Sequence, residues 1–283
     1  MKHLRTTTYL FVVALLALES CAHQQSVAAE NAPEPGALPR GDSLDGSRHV
    51  LLGIPTDTDP SDDYLLDRKY WVASYNPSRL VANWVAWELV ADDLGSAERT
   101  NAFAADTFLP GGFRFVTPRD YVHSGYDKGH MCPSADRTST PSANAATFLM
   151  TNMQPQRHVL NAGPWEGLDR YERGLAFQGK QLEIIAGGIF TNSTATIGPG
   201  VAVPTANFKI VVVMNPGETA TDVTLSTPVY AVIMPNSASA KGTKWTQYLV
   251  PVAEIEKETG YDFLSKVPAP VQKVIEAKVA APP

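Results

Sequence analysis

Tyr126-Asp127-Lys128-Gly129-His130-Met131-Cys132-Pro133-Ser134-Ala135-Asp136-Arg137 is the densest polar stretch of the chain, and Thr151-Asn152-Met153-Gln154-Pro155-Gln156 and Leu160-Asn161-Ala162-Gly163-Pro164-Trp165 follow it. His130, with a reference pKa near 6.5, is the natural general base of this stretch at neutral pH. Gly129 before it lets the backbone bend close to a bound group. A histidine in isolation reads as a core residue, but one set between Lys128-Gly129 and Met131-Cys132-Pro133 reads as chemistry. Asn161 offers the kind of oxygen that suits Mg²⁺, a cation that keeps several waters and needs few protein ligands. Asparagine is also a strong helix N-cap and Asn161 stands where a helix begins, so spacing alone leaves ligand and cap level. Asp169, eight positions on, lies roughly 80° around a continuous helix from Asn161, close enough to share a metal cluster. Arg173 is four further, where a surface pair with Asp169 is the plain alternative.

Outward from this stretch, the 283-residue chain is 44% hydrophobic and 18% charged, a globular composition. Its net charge of −6 excludes a protein that coats nucleic acid through bulk positive charge, while leaving room for a local phosphate site. Between Asp42 and Asp106 there are 12 acidic and 5 basic residues; between Thr107 and Glu183 there are 7 and 8, so the nearly neutral part coincides with the polar stretch. Leu182–Phe190, Phe208–Met214 and Val229–Met234 are short, β-branched and bounded by Gly, Pro or Asn, which predicts central strands, and residues 80–90 read as another. A solvated helix is expected from Asn161 or Pro164 to Arg173, and a short one over 251–264 that stops at Gly260. Together these give one α+β domain over residues 48–267.

The ends read differently. Residues 1–21 combine Lys2 and Arg5 with an apolar run too short to span a bilayer, as in a secretory signal. The run closes on Leu18-Glu19-Ser20-Cys21, similar to the lipobox in which a cysteine is acylated; cleavage after Val27-Ala28-Ala29 is the competing outcome. Residues 22–47, with Pro33, Pro35, Gly36, Pro39 and Gly41, are expected to be a flexible tether, and 268–283 an Ala/Pro-rich tail. The expected address is therefore extracytoplasmic, in the envelope or secreted, with membrane contact only through a lipid on Cys21.

The polar stretch resembles the signature of the DNA/RNA non-specific endonucleases, the ββα-metal or His-Me finger family: Asp-Arg-Gly-His followed by a helix bearing a metal-binding Asn. Further pieces fall in the family's order, among them Trp84-Val85-Ala86-Trp87, Arg99, Val203-Pro204, Phe208-Lys209, Ile233-Met234-Pro235-Asn236 and residues 255–263, so the likeness spans about residues 65–265. It implies an α+β fold with a central, mainly antiparallel sheet and flanking helices. It also implies a metal-dependent, sugar-non-specific endonuclease acting on DNA and RNA and leaving 5′-phosphate ends. Carried over residue by residue, His130 is the general base, and Asn161 is the ligand of Mg²⁺, with Mn²⁺ or Ca²⁺ as substitutes. Asp169 then binds through water, Arg99, Lys128 and Arg173 are phosphate contacts, and Asp127 and Asn152 are supports. Two departures stand out: Lys128 replaces the usual Arg, a point charge for a fork, and Asp169 replaces a usual Glu.

Two other readings compete. His123, His130, Cys132 and His158 are zinc-type ligands, although their spacing matches no common zinc template. Alternatively, the chain is a nuclease-fold envelope lipoprotein that binds nucleic acid without cutting it. Retention of His130 together with Asn161 opposes that, since a binding module needs neither a base nor a metal ligand.

Overall fold

The computed structural model describes residues 41–191 and 194–283. Seven strands form one sheet, antiparallel throughout, in the order β1 (Tyr64–Asp67), β2 (Val72–Asn76), β3 (Val81–Leu89), β6 (Gln181–Ile189), β9 (Ala206–Met214), β10 (Val229–Pro235), β11 (Leu249–Val250). All nine residues of β6 are buried, and eight of nine in β3 and in β9, so the middle of the sheet is covered on both faces. Their sequences are accordingly near-continuous apolar runs.

The period-2 alternation of side chains separates the two faces. Trp84, Ala86, Ile185, Phe208, Ile210 and Val212 pack on one side with Val252 and Ile255 of α3 (Val252–Thr259) and Ile275 of α4 (Ala269–Glu276). Trp87 and Lys209 point to the other side, where they meet Trp165 and the helix that follows it. That side carries a hairpin of β4 (Asp127–His130) and β5 (Met153–Gln156), in which Asp127 pairs with Gln156 and His130 with Met153. Between its strands lies α1 (Pro141–Ala146), opened by Thr140, whose side chain accepts the Ala143 N–H. After β5 come a single turn at His158–Leu160, a wide turn at Asn161–Trp165 and then α2 (Glu166–Phe177). This β4-β5-α2 unit is the ββα arrangement, set on a mainly antiparallel sheet with flanking helices. Two short strands, β7 (Thr196–Ile197) and β8 (Val201–Ala202), pair beside it.

The strands expected at 80–90, 182–190, 208–214 and 229–234 and the helix ending at Gly260 are present within one or two residues. The domain is longer than expected at both ends. Residues 42–47 belong to it: the Asp42 N–H donates to Leu65 O, Leu44 is buried and Ser47 caps a turn over Arg48–Val50. The expected Ala/Pro-rich tail contains α4, because Ile275 and Val271 find apolar partners in the core. The signal segment with Cys21, and the tether up to Arg40, lie outside the described residues.

Candidate active site

His130 closes β4 with its ring between two aromatics, edge-on to Phe148 at 4.9 Å between centroids and tilted to Phe103 at 5.6 Å. Its Nε2 is out of solvent contact and has no hydrogen-bond partner among the described residues. Burial first, and the Arg99 charge second, push the imidazole pKa down to about 3. The ring is thus neutral at neutral pH, the protonation state a general base requires, with Nδ1 as the ring nitrogen not sealed from solvent.

The hairpin geometry is held from behind by Asn152. It is fully buried, its Oδ1 accepts the Cys132 N–H at 2.9 Å, and its Nδ2 donates to the carbonyls of Cys132 and Thr147. Gly129 serves a different end from the expected one. A Cβ there would lie 2.1 Å from the Gln156 side chain across the hairpin, so the glycine makes room for Gln156 rather than for a bound group.

Asn161 is not an N-cap. Its N–H donates to Arg157 O, its backbone is already helical, and its Nδ2 donates to Asp127 Oδ2 at 2.9 Å. The same Asp127 oxygen lies 2.8 Å from His158 Nδ1, so Asp127 orients Asn161 and leaves the Asn161 Oδ1 as its uncommitted atom. The helix is not continuous from there to Asp169. Gly163 adopts φ −115° and ψ −117° and Pro164 follows, so the 80° projection for a straight helix does not apply. The wide turn nevertheless brings both residues to one cleft of about 340 Å³, which Arg99, Lys128, His130, Asn161, Asp169 and Arg173 all line. Glu166 and Ser134 line it as well. A carboxamide oxygen, with carboxylates nearby at Glu166 and Asp169, is a hard-oxygen donor set that fits a cation of Mg²⁺ type retaining its waters.

The cations of the cleft divide by partner. The Arg99 guanidinium stacks on Phe148, 4.8 Å to the centroid, and donates to Asn101 Oδ1 and Ser134 Oγ, all neutral groups. Asn144 of α1 fixes this arginine's segment, accepting the Thr100 N–H and donating to Ser134 O. Lys128 Nζ lies 4.9 Å from the Phe103 centroid. Neither has a carboxylate within ion-pair distance among the described residues. Arg173 instead pairs with fully buried Asp136 at 3.1 Å, not with Asp169. Asp169 pairs with Lys209, which also contacts Glu172 at 3.3 Å and lies over Trp165 and Trp87. Burial alone would lower the Lys209 ammonium, but Asp169 and Glu172 outweigh it and raise its pKa. Burial pushes Glu172 up to about 8 against the pull of Lys209.

The zinc reading fails on geometry. His123 is exposed in a left-handed conformation at φ 57°, Cys132 is buried with its thiol pKa pushed far up by burial, and His158 faces Asp127. Among the described residues the one group of three carboxylate, His or Cys side chains close enough to share an ion is Asp57, Asp62 and Asp63, none of which lines the cleft.

A neutral imidazole, a group of oxygen side chains and two cations without carboxylate partners, gathered on and beside a ββα unit, fit the class of metal-dependent endonucleases. The family model for DNA/RNA non-specific endonucleases matches residues 52–270, and the chain belongs to that family. It is 46% identical over 238 residues to a "Nuclease" of Nostoc sp., covering 82% of this chain and 86% of that protein. To the "Mitochondrial nuclease" of Saccharomyces cerevisiae it is 32% identical over 250 residues, covering 82% and 74%. The fold matches a solved structure of an EndoG/EndoGI complex with a TM-score of 0.70 at 24% identity, covering 86% of this chain and 100% of that one.

Proposed function

We propose that this cleft hydrolyses phosphodiester bonds in both DNA and RNA, with His130 as the general base. The observation that carries the reading is an imidazole kept neutral and uncommitted at the cleft that also holds Asn161 and two carboxylate-free cations. His130, through Nδ1, the ring nitrogen not sealed from solvent, takes a proton from a water, and the water oxygen attacks phosphorus in line with the departing 3′-oxygen. Arg99 and Lys128 hold the non-bridging oxygens, and their positive charge offsets what develops there. A divalent cation, Mg²⁺ or in its place Mn²⁺ or Ca²⁺, would be held by Asn161 Oδ1 and through water by Asp169, and would stabilise the negative charge on the leaving oxygen. Asp127 keeps the Asn161 oxygen free by occupying its amide nitrogen. Arg173, committed to Asp136, contributes field more than contact. Because water and not a 2′-hydroxyl attacks, the scheme does not depend on the sugar, and it leaves a 5′-phosphate. The signal-like pattern of residues 1–21 supports an address outside the cytoplasm for this activity, in the envelope through Cys21 or in the medium.

The test is cleavage of plasmid, single-stranded DNA and RNA by the parent and by His130→Ala, with Mg²⁺ or with EDTA. Loss of a general base costs about 10²–10⁴-fold, so that loss is expected on all three polymers, with the fold retained. Near-parental rates in the variant would remove His130 from the chemistry.

A further inference from the structure

A second cleft adjoins the first. It encloses about 500 Å³ and is lined by Gly125, Arg157, His158, Asn236, Ser237 and Lys241, among others. The two clefts meet across one carboxylate, since Asp127 Oδ2 contacts both His158 of the second cleft and Asn161 of the first.

Three features mark this cleft as a seat for an anion. Asp127, in contact with His158, is the carboxylate at its edge, and neither Arg157 nor Lys241, both exposed, has a carboxylate within ion-pair distance among the described residues. The Arg157 guanidinium lies over the Tyr126 ring, 4.5 Å to the centroid, which restricts its plane without consuming its charge. Its backbone is also fixed. Buried Asn236 accepts the Arg157 N–H at 2.7 Å and donates to the carbonyls of Pro155 and Pro204, tying the end of β5 to the loop that leads to Lys241. On a chain of net charge −6, two unpaired cations converging on one cleft produce a local positive field.

We propose that this cleft is a second backbone-phosphate subsite, in which Arg157 and Lys241 hold a phosphate of the strand flanking the bond presented to His130. The proposal rests on the nuclease reading above. Arg157 offers a planar fork to two oxygens and Lys241 a point charge to one, and neither contact reads a base. A strand held at two phosphates is aligned across the catalytic cleft without regard to sequence.

The test uses the full chain, a single-stranded oligonucleotide and bis(para-nitrophenyl) phosphate, a diester with no flanking phosphate. Binding of the oligonucleotide is measured in EDTA, where nothing is cut. The double variant Arg157→Gln/Lys241→Gln should bind about tenfold more weakly. Its log Kd against log salt should also be shallower by about 0.7, the contribution of one single-strand phosphate contact. With Mg²⁺ present, the ratio of kcat/KM on the oligonucleotide to that on the small diester should fall by the same tenfold. Unchanged binding and salt slope would overturn the subsite, as would equal losses on both substrates, which mark a general disturbance. If the parent binds the strand with the expected salt slope and cuts neither substrate, the subsite stands and the nuclease reading falls.

Discussion

Two sets of charges lie within a few residues of each other and behave in opposite ways. On and beneath α2, Asp136, Arg173, Asp169, Lys209 and Glu172 are mostly buried and paired with one another, with Asp169 and Arg173 still reaching the cleft wall. At the mouth of the cleft, Arg99 and Lys128 rest on the faces of Phe148 and Phe103 and pair with no carboxylate among the described residues. The first set spends its charge on holding the helix to the sheet. The second keeps its charge for an incoming anion, and the aromatic faces give it position without neutralising it. In a family of phosphodiester hydrolases, cationic residue type alone therefore does not identify a phosphate contact; the partner does.

The sharpest way to break this contrast is to empty its buried half. Lys209→Met leaves Asp169 and Glu172 buried without their cation and should cost about 3–5 kcal/mol in urea unfolding. A loss under about 1 kcal/mol would mean that the network is not structural. In the open half, Lys128→Met should lower kcat/KM on a short duplex by on the order of 10², while Lys128→Arg keeps activity because the charge is the larger contribution and the fork the smaller. Parental cutting by Lys128→Met would make Lys128 a solvated surface lysine. The smallest effect belongs to a pair in neither half. Half-buried Glu166 and exposed Arg170, at i and i+4 on α2, are 2.7 Å apart, and Arg170→Ala should change stability by no more than about 0.5 kcal/mol.

The sheet was legible because its strands are apolar β-branched runs with turn residues at their ends, and the motif order carried the ββα unit. What escaped was whatever depends on a partner distant in sequence. Lys209 sits in the run Phe208–Met214, where a lysine reads as an outward-facing position, and its burial makes sense only with Asp169 and Glu172, 40 and 37 positions away. A lone cation inside an otherwise apolar central strand was the available signal. The break at Gly163 hides from helical periodicity, which assumes one continuous axis, although the Gly-Pro pair marks it. Gly129 invited a reading about substrate approach, whereas its neighbour is Gln156, a contact that only the hairpin register supplies. The zinc reading and the tail over 268–283 failed for the same reason, since ligand convergence and the docking of α4 are tertiary facts.

The central claim is that burial and Arg99 keep His130 in its base form at the cleft, and the pH dependence of kcat/KM for the parent and for His130→Ala tests it most directly. A histidine whose pKa is lowered to about 3 stays deprotonated as pH falls through 6.5, so the parental rate should show no break at that ordinary imidazole value over the range in which the protein stays folded. The variant should run about 10²–10⁴-fold lower across that range. A parental profile that breaks near 6.5, or a variant that follows the parent at the same rate, would contradict the account.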